Sequence, residues 1–181
     1  MSFSVYTMAI KTFVPMLHSL SNVLDKGIRH AAATGLDPAA LVNARLAPDM
    51  YPLAKQVQLA CEHAHDAAAH LMAQPPPVFA SADQTLDDLK ARIFRTVDYL
   101  ESAGATSFTG AEDRDIKLPL GDGLELQLQG YQYLRDWALP HFYFHVVTAY
   151  DILRHRGVEI GKRDYLNHVG YAIRRIGGAP P

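Results

Sequence analysis

Apolar residues recur at steps of three and four in four long stretches of the chain, a pattern typical of amphipathic α-helices. The first covers residues 5–33, and Pro15 predicts that its regular part begins only there. The second covers 52–74, with many alanines on its packing face, which lets a neighbouring helix approach closely. The third covers 85–102 and the fourth 130–157. Four helices of this length predict a helical bundle.

Shorter elements connect these helices. Asp37 followed by Pro38 is a typical helix start, and it predicts a short helix to about Asn43. Apolar and polar residues alternate through 116–128 on both sides of Asp122-Gly123, which predicts a β-hairpin that covers an end or side of the helices. The hairpin lies in the long connection between the third and fourth helices.

The fourth helix contains Pro140, which predicts a kink or a new helix start at that residue. After Gly157 we expect an irregular tail that ends in a frayed GGAPP sequence. The predicted fold is an all-α four-helix bundle with a small β-hairpin, formed by one domain over residues 1–170 and an irregular tail over 171–181. From the pattern alone, up-down-down-up and simple up-down topologies both stay open.

The composition of the chain argues against several classes of function. The 181 residues are 49% hydrophobic, enough for a substantial core, and the formal net charge of −2 gives no basic surface for nucleic acid. No apolar run approaches the length of a membrane span, and the N-terminal residues lack the pattern of a secretory signal. The single cysteine, Cys61, cannot form an intramolecular disulfide, which favours a reducing compartment, and we expect it to be buried and inert. We therefore expect a cytoplasmic protein with no nucleic-acid or membrane partner.

Two histidines on the fourth helix suggest a metal site. His141 and His145 are four residues apart, so they lie one turn apart on the stripe that includes Trp137 and Ile152. An i,i+4 pair allows one helix to offer two nitrogens to a single metal ion. On the second long helix, His63 lies beside the alanine-rich packing face and can point into the bundle. Three imidazoles and water would leave an open coordination position.

Structural roles compete with this interpretation. A histidine on an apolar helix face is commonly a core residue with a hydrogen-bond partner, and we expect His65 and His70 to lie on a solvated face. Aromatic residues surround the fourth helix, and the outward ones could form a dimer surface. The sequence contains no glycine-rich phosphate loop, no GxSxG motif and no CxxC motif.

Three stretches resemble a bacterial family of uncharacterised proteins related to the DinB/YfiT-like metalloenzymes: PDMYPLAKQVQLACEHA, FTGAEDRDIKL and LPHFYFHVVTAYDILRHRGVEIGKRDYL. The resemblance covers about residues 8–166. It implies a four-helix bundle of up-down-down-up topology, often found as a homodimer.

The wider DinB-like group binds a divalent metal through one histidine of the second helix and an HxxxH pair of the fourth. These positions correspond to His63, His141 and His145, so the resemblance implies that these three residues bind zinc, nickel, iron or manganese. In the closer family asparagine often stands at the position of His141. The Arg-Gly-Gln run that follows the last ligand in the wider group is Val146-Val147-Thr148 here.

Some members of the wider group are thiol-dependent transferases or isomerases. The leading hypothesis is a metal-binding bundle that acts as a metal-dependent (thiol) transferase or hydrolase, with Asp66 or Tyr143 as candidates to orient a ligand. One alternative is a non-enzymatic dimer with structural histidines. Another is a metal-free pocket for a small molecule between the helices.

Overall fold

Helices make up most of the structure. The computed structural model describes residues 4–79 and 83–174. Its α-helices and strands, in chain order, are α1 (Val5–Thr34), α2 (Pro38–Val42), α3 (Leu53–Leu71), α4 (Leu86–Ser102), β1 (Asp115–Gly121), β2 (Leu124–Gln129), α5 (Gly130–Gln132), α6 (Leu139–His155) and α7 (Lys162–Tyr165). The segments Ala105–Phe108 and Asn167–Ala172 are 3₁₀-helices, and Tyr133–Ala138 is π-helical. The predicted long helices and hairpin are thus confirmed.

Side chains at the helix starts explain several of these boundaries. The Asp37 carboxylate accepts a hydrogen bond from the Ala39 amide, which caps α2 as expected. At α4, the Thr85 hydroxyl accepts from the Asp88 amide at 3.0 Å while the Asp88 carboxylate accepts from the Thr85 amide at 3.0 Å. This reciprocal capping box confirms the predicted start of the third long helix.

The first helix differs from its prediction because α1 continues through Pro15 without a break. Proline has no amide to donate to the carbonyl four residues earlier, which belongs to Lys11. Lys11 is exposed, so water can bond to this carbonyl and the helix does not have to end.

Pro140 affects the fourth helix as the sequence indicates. The chain winds as a π-helix over Tyr133–Ala138, and α6 then starts at Leu139 with Pro140 in its first turn. The Leu139 amide donates to the Leu134 carbonyl, five residues back. Because a proline amide is not needed in a first turn, Pro140 is compatible with this helix start.

Contacts between the helices define how the core is built. The rings of Phe13 and Phe142 meet edge to face, and near the other ends of α1 and α6 the Leu153 side chain lies over Gly27. The Lys90 ammonium at the start of α4 pairs with Asp25 of α1. The core between these helices is formed by apolar residues of α1, α3, α4 and α6.

The hairpin is antiparallel, with Asp115 opposite Gln129 and Gly121 opposite Leu124. Ile116 at its base is buried in the core, whereas Leu120 and Leu124 near its tip are 49% and 66% exposed. Only the base of the hairpin therefore covers the helices, so its predicted one-sided apolar face is buried in part.

The prediction of an irregular tail after Gly157 is wrong for part of the chain, because α7 and the segment Asn167–Ala172 are helical. A salt bridge of 2.7 Å between Lys26 and Asp164 ties α7 to α1. The GGAPP sequence lies outside the described residues. Among those that are described, no helix is both long and apolar enough to cross a membrane.

Gly130 provides a test of how the hairpin joins the helices. A Cβ atom at this position would lie 1.8 Å from the Ala111 carbonyl oxygen and 3.3 Å from a Leu71 methyl group. We expect Gly130→Ala to lower the free energy of unfolding by about 2–3 kcal/mol, because the backbone must shift to relieve the overlap. Urea unfolding measures this change. Gly170→Ala is the control, since its Cβ would meet no atom within 4 Å; an equal loss in both variants would contradict the prediction.

Candidate functional site

The candidate site lies where α3 packs on α6. Three alanines of α3 are completely buried: Ala60, Ala64 and Ala67. Small side chains allow close approach of a neighbouring helix, so polar residues beside them can reach across. α3 and α6 make the most extensive contact between any two helices of the described chain. Side chains on these two faces can therefore contact each other directly.

The structure brings the three predicted histidines together. The centre of the His63 ring lies 4.8 Å from that of His141 and 5.3 Å from that of His145. The His63 and His145 rings are nearly parallel, at 7°, whereas His63 and His141 are tilted by 34°. His63 thus lies against both histidines of α6.

The hydrogen bond of His141 determines which of its nitrogens carries the proton. His141 Nδ1 lies 2.9 Å from the Trp137 carbonyl oxygen, one turn earlier. A carbonyl can only accept, so Nδ1 must donate and Nε2 of the neutral ring keeps its lone pair. The Trp137 ring also packs on His141, with 4.3 Å between ring centres. His141 therefore presents Nε2 as the nitrogen available to a ligand.

His145 has a side-chain partner from α3. Its Nδ1 lies 2.7 Å from the Gln56 Oε1 atom, and the same Gln56 amide donates from Nε2 to the Tyr51 carbonyl at 3.1 Å. Both Gln56 and His145 are buried. The nitrogen and the amide group are therefore held away from solvent.

Burial also determines the charge of these rings. Burial lowers the pKa of His63 to about 4, and the nearby positive charge that His141 and His145 would carry if protonated adds to the effect. Burial, followed by the charges of His141 and Lys55, lowers the pKa of His145 to about 4. Both imidazoles are consequently neutral at pH 7, the form that can bind a metal.

The chemistry of this donor set fits a divalent metal ion, although the side chains do not form a closed site as they stand. Two imidazoles that bind one zinc ion at ~2.1 Å have ring centres about 5 Å apart, close to the separations from His63. In the described part of the chain, however, no group of three or more His, Cys, Asp or Glu side chains is arranged to hold a metal. The nearly parallel rings of His63 and His145 are consistent with this: a common ligand would require a turn of one ring.

Other histidines of α3 take different positions from those expected. His65 is only 3% exposed, and its ring meets those of Phe79 and Tyr99 edge to face, so the prediction of a solvated position is wrong. His70 is partly buried against Tyr133, so its predicted solvated position holds only in part. The Asp66 carboxylate lies 2.8 Å from His65 Nδ1. This contact of Asp66, predicted to orient a ligand, thus lies outside the three-histidine cluster.

Tyr143, the other candidate for orienting a ligand, packs its ring edge against Phe142. Gln56, whose amide oxygen lies 2.7 Å from His145 Nδ1, was not predicted to belong to the site. Its position seven residues before His63, two helical turns away on the same face, is the signal that could have identified it.

Structural comparison defines the class of protein first. A crystal structure of a DinB family member protein from Shewanella denitrificans matches with a TM-score of 0.84 and 35% sequence identity, over 97% of this chain and 95% of that chain. The fold is therefore that of the DinB family.

The sequence then gives the particular family. Residues 5–166 match the model of a domain of unknown function, DUF1993, and the chain belongs to this family. No curated protein matches the chain.

The lowered pKa values predict a pH-dependent stability of the metal-free protein. The unfolded histidines titrate near 6.5 and the folded ones near 4, so between these values the unfolded state binds more protons. The contribution to stability is complete above about pH 6.5 and is lost as the pH falls towards about 4. We expect the urea concentration at the midpoint of unfolding, measured in EDTA, to decrease as the pH is lowered from 7 to 5.

His145→Gln should reduce this pH dependence, because it removes one of the two titrating groups. His18→Gln is the control, since His18 is an exposed residue of α1. An equal pH dependence in wild type and His145→Gln would contradict the prediction.

Proposed function

We propose that this chain binds one divalent metal ion through His63, His141 and His145. The observation that carries the proposal is the cluster itself: two helices bring three imidazoles into ring contact, at 4.8 and 5.3 Å from His63. Bundles commonly build metal sites from side chains on facing helices. The proposal agrees with the position of the three residues in the resemblance to DinB-like proteins.

Hydrogen bonding supports the same assignment. Both histidines of α6 donate through Nδ1, which leaves the two Nε2 lone pairs for a metal. Among the described residues, His63 has no hydrogen-bond partner, so its ring can turn towards a metal without breaking a hydrogen bond. This turn would convert the cluster of rings into a set of converging ligands.

Neutral imidazoles suit zinc, nickel and iron, and they leave coordination positions for water or substrate. A metal bound there would supply Lewis acidity and would lower the pKa of a bound water or thiol. The three imidazoles would hold the metal ion, and because they are uncharged they would not compensate its positive charge. We propose a metal-dependent thiol transferase or hydrolase activity on this basis.

The proposal includes an up-down-down-up bundle. Phe13 with Phe142 and Gly27 with Leu153 support a parallel arrangement of α1 and α6, and Asp25 with Lys90 supports an antiparallel one of α1 and α4. The homodimer stays a prediction. The exposed rings of Phe144 and Tyr131, at 58% and 43%, are candidates for its contact surface.

Metal content tests the main proposal. Protein purified without an affinity tag should contain about one divalent metal per chain by mass spectrometry. His63→Ala, His141→Ala and His145→Ala should each lose it, because each removes one of three ligands. At a metal concentration 100 times Kd, binding should stabilise the wild type by about 2.7 kcal/mol.

His70→Ala is the matched control, because His70 lies on the same helix as His63 and contacts Tyr133 instead of the cluster. It should keep the metal. The proposal fails if the wild type has no metal and shows no thermal shift with added zinc, nickel, iron(II) or manganese.

A second candidate function rests on an apolar cleft between the start of α1 and the π-helical segment. Its volume is about 310 Å³, near the lower end for small-molecule sites. Its polar lining residues are Ser4, Glu112 and Arg135. The rest of the lining is mainly apolar: Val5, Met8, Tyr131, Leu134 and Leu139. Arg135 is paired with Asp136. The lining therefore suits a small apolar molecule.

The fluorescent probe anilinonaphthalene sulfonate tests this cleft. We expect saturable binding to the folded protein that EDTA does not change and that Met8→Trp abolishes by filling the cleft. Val78→Trp should have no effect, because Val78 is almost fully exposed and outside the cleft. Binding that is not saturable, or that persists in Met8→Trp, would contradict this second function.

A further inference from the structure

The Gln56 side chain is held in one orientation by its neighbours. It is 1% exposed in the first turns of α3. Its Nε2 atom lies 3.1 Å from the Tyr51 carbonyl, which can only accept a hydrogen bond. The NH₂ group must therefore face Tyr51, and the oxygen atom must face α6.

This orientation has a consequence for His145. The Gln56 oxygen accepts at 2.7 Å from Nδ1, so the neutral His145 ring carries its proton on Nδ1 and its lone pair on Nε2. A backbone carbonyl 94 residues away in sequence thus fixes the protonation of a histidine through one buried amide. Helix α6 alone gives His145 no such partner, whereas His141 uses the Trp137 carbonyl of its own helix segment.

We propose that Gln56 is a positioning residue that fixes His145 as the Nδ1–H tautomer and presents its Nε2 atom to the three-histidine cluster. The consequence for metal binding rests on the proposed function, but the tautomer itself does not require a metal. Partners of this kind orient metal-binding histidines in many proteins, and their loss typically costs about 10–100-fold in metal affinity.

The chemistry at this position favours glutamine over other residues of similar size. Glutamate would place a carboxylate oxygen opposite the Tyr51 carbonyl, where two acceptors repel, and would bring a negative charge into contact with His145. Leucine would remove the acceptor and leave the Nδ1 proton of a buried ring without a partner. Only the amide both donates to Tyr51 and accepts from His145.

Nuclear magnetic resonance of protein with ¹⁵N-labelled histidine tests the proposal directly. Long-range proton–nitrogen spectra in EDTA distinguish Nδ1–H from Nε2–H rings, and His145→Ala identifies the His145 signals. We expect the Nδ1–H tautomer in the wild type. In Gln56→Leu, the major form should change to Nε2–H or to a mixture. Gln56→Glu should keep Nδ1–H, because a carboxylate oxygen also accepts from Nδ1.

Gln58→Leu is the matched control: the same change two residues away, at a buried glutamine that donates to Asp83 on the other side of α3. It should leave the tautomer of His145 unchanged even if it lowers stability. Gln56→Met, which keeps the length of the side chain, provides the same test if Gln56→Leu does not fold.

The proposal is overturned if the wild type shows Nε2–H at His145, or if both Gln56→Leu and Gln56→Met keep Nδ1–H. If zinc binds to the wild type, its Kd should increase about 10–100-fold in Gln56→Leu and not in Gln58→Leu. A wild type that shows Nδ1–H, with loss of this form in Gln56→Leu but no zinc binding, would uphold the role of Gln56 and refute the metal site.

Discussion

The packing of α3 on α6 determines the position of every side chain in the candidate site. Ala60, Ala64 and Ala67 leave space for close approach, and the polar residues beside them can then meet partners on the other helix. His63 contacts the rings of His141 and His145 because of this short distance. A larger side chain on the face of α3 that meets α6 would separate the helices and with them the histidines.

The opposite face of α3 packs on α4 through a second, very different polar group. The buried Arg92 donates to Asp83, which also accepts from Gln58 at 3.2 Å. Buried charges of this kind must be paired, so this group fixes the segment before α4 against α3. Cys61 lies on this side, where burial raises its pKa to about 12. Because it is the only cysteine of the chain, any thiol chemistry needs a thiol from a bound molecule.

Local patterns predicted most of the fold. The long helices follow from apolar periodicity, the starts of α2 and α4 from their capping residues, and the hairpin from alternation around Asp122-Gly123. The continuous path through Pro15 was not predictable, because it depends on which side of α1 faces water. The helices after Gly157 depend on contacts with α1, such as Lys26 with Asp164, that a local pattern does not contain.

The histidines of the candidate site could be predicted from the sequence, but the side chains that contact them could not. Spacing placed His141 and His145 on one face and His63 beside the alanine-rich face of α3, and the resemblance implied the same three residues. The burial of His65 required Phe79, which lies after three prolines in another segment. The bond from His145 to Gln56 joins residues 89 positions apart, so only the packing of α3 on α6 could reveal it.

The charges in the site follow from the same packing. Burial keeps His63 and His145 neutral, and the groups that bond to the imidazoles of α6 are an amide and a backbone carbonyl. The nearby Asp66 carboxylate lies 2.8 Å from His65 Nδ1, and it raises the pKa of His63 less than burial lowers it. A divalent cation held by these residues would therefore keep most of its charge, in contrast to one held by carboxylates. Such a cation attracts anionic ligands and lowers the pKa of bound water or thiol.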